Sequence, residues 1–85
     1  MATVLIDIVR TPSNKLYIIV QSQVPLSQLK KTAASLKSKG YADAKILEKD
    51  NKFRVSIMEF TLKEKADSVL REIKKSYKDA WLLKY

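Results

Sequence analysis

Two aspartates, Asp43 and Asp79, lie in two similar stretches of the sequence, GYADAKIL at 40–47 and SYKDAWLL at 76–83. Two carboxylates that a fold brings together can work as general acid and general base. Aspartate is also favoured in turns, because its side chain accepts hydrogen bonds from nearby backbone N–H groups. Since both aspartates come just before an apolar run at equivalent places, we interpret them as turn residues and not as a catalytic pair.

The sequence offers little else for catalysis, because its 85 residues include neither cysteine nor histidine. Without cysteine there is no disulfide and no thiol nucleophile, and without either residue the usual zinc sites cannot form. Histidine is also the commonest general base at neutral pH. Glu59, near the end of an expected strand, is the remaining candidate base, and we interpret it as a solvated turn residue. We therefore predict that the protein is not an enzyme and uses neither cofactor nor metal.

The net charge of +8, from 17 lysines and arginines against nine acids, favours polyanionic partners. Nucleic acid, anionic lipid and an anionic cell-wall polymer are of this kind, and a lysine-rich solvated surface is the alternative. The start, MATVLIDIVR, has no basic leader, and Asp7 interrupts its apolar stretch, so we expect no signal peptide. The chain is then either cytoplasmic or a module of an exported protein of the periplasm or cell envelope.

The repeated stretches belong to two similar halves, each of which predicts a strand, a helix and a strand. The predicted strands are LYIIVQ (16–21), AKILEK (44–49), FRVSIM (53–58) and AWLLKY (80–85). An amphipathic stretch separates the two strands of each half, ending at Lys39 in the first half and at Tyr77 in the second.

The two helices have apolar stripes and terminal signals. The stripes are formed by Leu26, Leu29, Ala33 and Leu36 in the first helix and by Ala66, Val69, Leu70, Ile73 and Tyr77 in the second. Pro25 suits the first helical position, and Gly40 suits the left-handed residue just past the helix end. Thr61 and Glu64 have the spacing of a capping box at the start of the second helix.

Asp50 and Asn51 favour positive φ and predict a tight hairpin between the two halves. The fold class is then α+β, a βαββαβ (split βαβ, ferredoxin-like or RNP-like) arrangement with two helices on one face of a four-stranded antiparallel sheet. The first strands of the two halves lie side by side at its centre. We assign residues 15–85 to this domain and residues 1–14 to an N-terminal extension. In that extension VLIDIV (4–9) is an extra edge strand, a linker or an interface, and TPSNK (11–15) is a turn or spacer.

Strand alternation predicts which side chains lie on the face of the sheet that the helices leave open. The polar Arg54 and Ser56 belong on this open face, and the overlay of the halves extends the choice to the other strands. The predicted contact residues are Tyr17, Ile19, Gln21, Lys45, Arg54, Ser56, Met58, Trp81 and Leu83, and Leu47 and Tyr85 lie on the same side. An apolar patch of this size is typical of a contact surface. The alternatives are a register shift, or a cover formed by residues 4–9 or by a second copy.

The pattern over both halves is similar to a known family. The stretch KFRVSIMEFTLKEKADSVLREIKKSYKDAWLLKY (52–85) has an aromatic-Arg-Val strand, a Phe-Thr lead into a helix and a closing strand. LYIIV and SLKSKGYADAKIL supply the matching features of the first half. Together they resemble the SPOR domain family, the peptidoglycan-binding modules of bacterial cell-division and envelope proteins.

This resemblance implies a non-catalytic domain that binds glycan strands of peptidoglycan from which the stem peptides have been removed. Family-type binding would use Tyr17, Ile19, Arg54, Ser56 and Trp81. Aromatic rings can stack on sugar faces, and arginine and serine can donate to hydroxyl, acetyl and carboxyl groups.

The chain departs from the family pattern at three places. The family commonly has Gly-Ser after its first and third strands, where this sequence has Gln21-Ser22 and Met58-Glu59. Gln23 also stands in place of the Phe that Phe60 still represents in the second half.

The sequence leaves two other functions open. RNA recognition motifs share the fold and stack bases on central aromatics, but here Tyr17 is the only aromatic predicted on the open face of the central strands, which disfavours nucleic acid. A protein-interaction module is the main alternative, with VLIDIV adding a strand to a sheet edge in a homodimer or in a complex with other division or envelope proteins.

Overall fold

Two strand-helix-strand units and one short additional strand make up the fold. The structure, a computed structural model, describes Ile6 and residues 8–85. The elements are β1 (Ile8–Val9), β2 (Leu16–Ser22), α1 (Leu26–Ser38), β3 (Lys45–Lys49), β4 (Lys52–Phe60), α2 (Lys63–Ile73) and β5 (Trp81–Lys84). The predicted α+β class and the order of elements in both halves are confirmed.

The sheet has five strands in the order β1-β3-β4-β2-β5. The central pair β2 and β4 is antiparallel, as predicted. The prediction of a purely antiparallel four-stranded sheet is wrong, because β1 adds a parallel strand beside β3, with Ile8 opposite Ile46 and Val9 opposite Leu47. Ile8 packs on the helix-side core and Val9 on the other face, so burial of two apolar side chains stabilises this edge. Of VLIDIV, residues 4, 5 and 7 lie outside the described residues.

The turns follow the local chemistry of the sequence. Asp50 and Asn51 have φ of 54° and 62°, and Lys49 pairs with Lys52, which gives the predicted two-residue hairpin. Asp43 and Asp79 both lie in turns, as predicted.

The helix ends agree with the predictions only in part. Gly40 lies just past α1 with φ of 102°, as expected. Pro25 is the N-cap of α1 instead of its first residue. The predicted capping box at α2 is wrong, because Leu62 is the N-cap and no side chain caps the helix. Thr61 therefore lies one residue too early for its hydroxyl to occupy the capping position.

Both faces of the sheet carry an apolar cluster. The helix-side core contains Ile18, Val55 and Ile57 from the central strands, together with buried residues of α1 and α2. Tyr17, Ile19 and Leu47 lie on the opposite face, which we call the outer face. Strand alternation thus predicted the correct face for these six residues.

Two register shifts in the β2–β4 pairing reverse the alternation. Ile18 faces Met58, Ile19 faces Ser56, and Gln21 faces Val55. Directly opposite residues share a face of a sheet, so Gln21 lies on the side of the helix-side residue Val55. Met58 likewise packs against the helix-side core. The prediction that Gln21 and Met58 lie on the open face is therefore wrong, because each bulge adds one residue to one strand.

Candidate ligand-binding site

Half of the outer face is buried instead of open. Tyr17, Ile19 and Ser56 are 2%, 0% and 0% exposed. The hydroxyl of Ser56 donates to the carbonyl of Met58 over 3.0 Å. The prediction that these three side chains are available for contact is wrong, although the face was predicted correctly for all three: Ser56 lies opposite Ile19 and shares its face.

The cover consists of residues 9–13 and the side chain of Tyr85. The Tyr85 hydroxyl lies within hydrogen-bond distance of the carbonyl oxygens of Arg10 and Glu48. The Ser13 hydroxyl is 2.7 Å from the hydroxyl of Tyr17. The backbone N–H of Ser13 donates to the Tyr85 carbonyl over 2.8 Å. This network ties the segment before β2 to β3 and to the chain beyond β5, so it closes one end of the outer face. The sequence marked residues 11–15 only as a turn or spacer.

Glu59 and two lysines occupy the outer face beside the covered end. The Lys15 ammonium donates to the Glu59 carboxylate over 3.0 Å, and the Lys45 ammonium donates to its other oxygen. Burial by itself raises the pKa of Glu59, but the hydrogen bonds and charges of Lys45 and Lys15 outweigh it and hold the pKa below the ordinary value. The Glu59 side chain is only 15% exposed, so the prediction of a solvated turn residue is wrong. Lys45 is committed to this ion pair and is not a free contact residue.

The other end of the outer face remains accessible and carries a groove. The groove has a volume of about 540 Å³. Its lining residues are Ser22, Gln23, Val24, Asn51, Lys52, Phe53, Arg54 and Trp81. We call this site the Trp81 groove. The last residue of β2, the first residues of β4, the β3–β4 hairpin and the start of β5 meet there, so four elements position its lining.

Trp81 and Arg54 give the groove its chemistry. Trp81 is 39% exposed, and the Arg54 guanidinium carbon lies 5.9 Å from its ring centroid. Arg54 donates to the carbonyl of Lys49 over 3.3 Å, which fixes the guanidinium. Among the described residues, Arg54 forms no ion pair. An aromatic face and an uncompensated cation therefore lie together at the surface.

A second depression of about 410 Å³ adjoins the groove. It shares Ser22, Gln23, Val24 and Trp81 with the groove and adds Val20, Gln21 and Asp79. The side-chain oxygen of Gln21 is buried and has no hydrogen-bond partner among the described residues. The two depressions thus offer stacking and a cation around one indole.

The structure regroups the residues that the sequence predicted as one site. Trp81 borders both depressions, Arg54 borders only the groove, and Gln21 borders only the second depression. Leu83 packs against the covered cluster. Sequence reasoning missed the contribution of Gln23, because its left-handed backbone (φ of 61°) has no signal in a Gln-Val-Pro stretch. Asn51 and Lys52 could have been included, since the predicted hairpin places them at the start of β4.

Comparison with known proteins gives one match. A family model described as SPOR domain matches residues 12–84. No curated protein and no solved structure matches the chain significantly. No described helix is long and apolar enough to cross a membrane.

Proposed function

This chain belongs to the SPOR domain family, and from this premise we propose that it binds glycan strands of peptidoglycan that have lost their stem peptides. The family consists of non-catalytic peptidoglycan-binding modules of the bacterial division machinery and envelope. We further propose that residues 15–85 form the binding domain of a protein of the periplasm or cell envelope. Self-association and contacts with other division or envelope proteins stay predictions.

The exposed Trp81 and the half-buried Arg54 in the lining of the groove carry this proposal. A sugar ring has an apolar face that can stack on an indole, as other flat apolar surfaces do. Arg54 can donate several hydrogen bonds to hydroxyl, acetyl or carboxyl oxygens of the same ligand. Stacking together with donated hydrogen bonds suits a neutral or weakly acidic polysaccharide.

The proposed site differs from the one that strand alternation suggested. Tyr17, Ile19 and Ser56 are buried under the cover and contribute to the stability of the sheet, whereas the ligand contacts lie at the Trp81 groove. The glycan then follows the ends of β2 and β4 instead of crossing the middle of the sheet.

The absence of the two family glycines is compatible with this site. Positive φ occurs in the described residues at Asn14, Gln23, Gly40, Asp50 and Asn51, and at neither Gln21 nor Met58. The backbone at these two positions therefore does not need glycine. Side chains replace bare backbone at both positions.

The decisive test is cosedimentation with purified sacculi, both intact and stripped of stem peptides by an amidase. Wild type, Trp81→Ala and Arg54→Lys are compared with the controls Leu62→Ala and Arg71→Lys. Leu62 is 58% exposed, and neither Leu62 nor Arg71 lines the groove. Loss of stacking predicts that Trp81→Ala lowers affinity for stripped sacculi by roughly tenfold. Arg54→Lys keeps the charge and loses the planar contact with Trp81, so a decrease of about two- to fivefold is expected.

Enrichment of wild type on stripped sacculi, with both controls unchanged, supports the proposal. Equal binding to both kinds of sacculi, insensitive to Trp81→Ala and lost with salt, would show only that a basic protein meets a polyanion. No binding at any salt concentration would exclude glycan recognition by this chain.

A further inference from the structure

The region around α1 is basic and contains no acid. Between Asp7 and Asp43 the sequence has no Asp or Glu, although it has six cations: Arg10, Lys15, Lys30, Lys31, Lys37 and Lys39. Arg10 and Lys15 pair with acids of β3 and β4. The other four lysines, three in α1 and one at its C-cap, thus come from a stretch of sequence that contains no acid.

Three of these lysines spread around the side of α1 that faces away from the sheet. A helix turns by about 100° per residue. Around the axis of α1, Lys30 therefore projects about 100° to one side of Lys31, and Lys39 about 80° to the other side. The buried Ala33 projects about 160° away from Lys31, toward the sheet. Lys30, Lys31 and Lys39 are all exposed. In the part of the chain that the structure describes, none of these three forms an ion pair. Their charges are therefore fully presented to solvent.

The side chains between the lysines are polar and short. Ser27, Ser35 and Ser38, all exposed, lie around Lys31. The exposed large apolar side chains of the described residues are Leu62 and Trp81, and neither is on α1. A flat partner can therefore approach the helix closely, but α1 has no aromatic ring to stack on bases and no apolar side chain to enter a lipid core.

The second helix lacks this character, although the two halves of the fold are similar. Glu64, Asp67 and Glu72 are interspersed among its cations. Glu72 accepts from Lys75 over 3.1 Å. Repulsion from these carboxylates opposes the approach of an anionic surface to α2. The attractive face of the helix layer is consequently the α1 side.

We propose that α1 docks on the anionic phospholipid headgroups of a bilayer through Lys30, Lys31 and Lys39. Three point charges spread over half the circumference of a helix can all reach a plane of phosphates, since lysine side chains are long and flexible. A single linear polyanion would meet only part of this convex surface at once. Each lysine close to an anionic membrane adds attraction, and the attraction is screened by salt because nothing inserts. This surface is separate from the Trp81 groove and does not depend on glycan binding.

The test is sedimentation of the full chain with vesicles of phosphatidylcholine alone and of phosphatidylcholine mixed with phosphatidylglycerol, at low and moderate salt. The variant Lys30→Gln/Lys31→Gln is compared with Lys63→Gln/Lys74→Gln, which makes the same charge change at exposed positions of α2 and its C-cap. Glutamine keeps the helix propensity of lysine. We expect wild type to bind only the vesicles with phosphatidylglycerol. Loss of two lysines at the membrane should weaken partitioning roughly 25-fold for the α1 variant and about twofold or less for the α2 variant.

Equal weakening by the two variants would overturn the proposal, because only the total charge would then matter. Absence of binding to phosphatidylglycerol vesicles at low salt would overturn it as well. Inorganic polyphosphate serves as a soluble linear polyanion. Tighter binding to polyphosphate than to vesicles, with the same dependence on Lys30 and Lys31, would identify a linear polymer as the partner and reject the membrane. Circular dichroism of each variant establishes that it is folded.

Discussion

Glu59 holds two lysines of different strands and loops together on the outer face of the sheet. Its carboxylate accepts hydrogen bonds from Lys15 and Lys45 while most of the side chain is buried. Cationic neighbours at hydrogen-bond distance stabilise the ionised carboxyl and leave it charged in the folded state. The residue therefore contributes to stability through its charge.

We predict that Glu59→Gln destabilises the fold by about 1–2 kcal/mol at neutral pH, the loss expected for charge-assisted hydrogen bonds. The folded-state pKa lies below the ordinary value of 4.5, so the contribution is present above that pH and is lost as the pH falls through the lowered pKa. Urea denaturation of wild type and variant at pH 7 and at pH 3 measures both effects.

Glu72→Gln is the control, because its pair with Lys75 is exposed and exposed pairs contribute less than about 1 kcal/mol. If Glu59→Gln and Glu72→Gln cost the same, or if the Glu59→Gln difference does not shrink at low pH, the assignment to the charge of Glu59 is wrong.

For single residues on the outer face, the sequence predicted some properties correctly and others not. The sequence singled out Trp81 because the first copy of the repeat has Lys45 at the equivalent place, and Trp81 is indeed exposed. Alternation also gave the face of Tyr17 and Ile19. It could not give their burial, because exposure depends on which distant segment covers the face, and a period of two contains no information about that.

At the scale of elements, the central strands were found correctly and their ends were not. Ile18, Val55 and Ile57 follow simple alternation. Gln21 and Met58 do not, because two register shifts lie between β2 and β4. A bulge without glycine has no reliable sequence signature. Simple alternation was therefore extended wrongly to Gln21 on β2 and to Met58 on β4.

The turn between β2 and α1 contains backbone strain at Gln23. Its φ of 61° is unfavourable for a residue with a Cβ. We predict that Gln23→Gly raises the stability by about 0.5–1 kcal/mol, because glycine adopts this conformation freely. Thermal denaturation measures the change.

Gln28→Gly is the matched control, since Gln28 is exposed in the first turns of α1. Glycine in a helix costs about 1 kcal/mol, so the two substitutions should shift the melting temperature in opposite directions. A shift of the same sign for both would show that the left-handed position is not strained.

The cover depends on the hydroxyl of Tyr85. We predict that Tyr85→Phe destabilises the protein by about 1–2 kcal/mol, because the part-buried hydrogen bonding of the Tyr85 hydroxyl to the carbonyl oxygens of Arg10 and Glu48 is lost. The backbone amides of β1 and of residues 13–15 should also exchange faster with deuterium than in wild type. Tyr77→Phe is the control, since the Tyr77 hydroxyl makes no hydrogen bond among the described residues. Unchanged exchange in Tyr85→Phe would mean that the cover is held by apolar packing alone.

At the scale of the whole molecule, the two proposed surfaces lie on different sides of a domain that measures 38 × 27 × 21 Å. The Trp81 groove lies at the end of the sheet, and the lysines of α1 face away from the sheet. A membrane and a glycan strand can therefore bind at the same time, with a separation set by the thickness of one small domain. Two weak contacts made together bind more tightly than either does alone.

We predict that the protein links phosphatidylglycerol vesicles to stripped sacculi, so that vesicles sediment with sacculi only when it is present. Trp81→Ala and Lys30→Gln/Lys31→Gln should each strongly reduce the linkage while each keeps the contact that it does not alter. Fluorescent lipid in the sacculus pellet gives the measurement. Linkage that is undiminished in either variant would show that the altered surface does not bind the partner proposed for it.

The global fold was the most predictable level. Two copies of one amphipathic pattern, a two-residue hairpin and the right-handed crossover rule leave few alternatives. The fifth strand was harder, because β1 has only two residues and its partner β3 is far away in sequence. Whether such a short segment forms a strand depends on its tertiary contacts with β3, and no pattern within residues 4–9 predicts those contacts.

The cover also determines how the domain responds to mechanical load. A pull transmitted along the chain toward β2 through residue 8 meets the two residue pairs of β1 and the Tyr85–Arg10 hydrogen bond first. These few bonds open before the long β2–β4 pairing bears the force. Trp81 and Arg54 are held by β4, β5 and the hairpin, at the far end of β2 from where the force enters. Extension of residues 8–15 would therefore relieve the tension while the Trp81 groove keeps its shape.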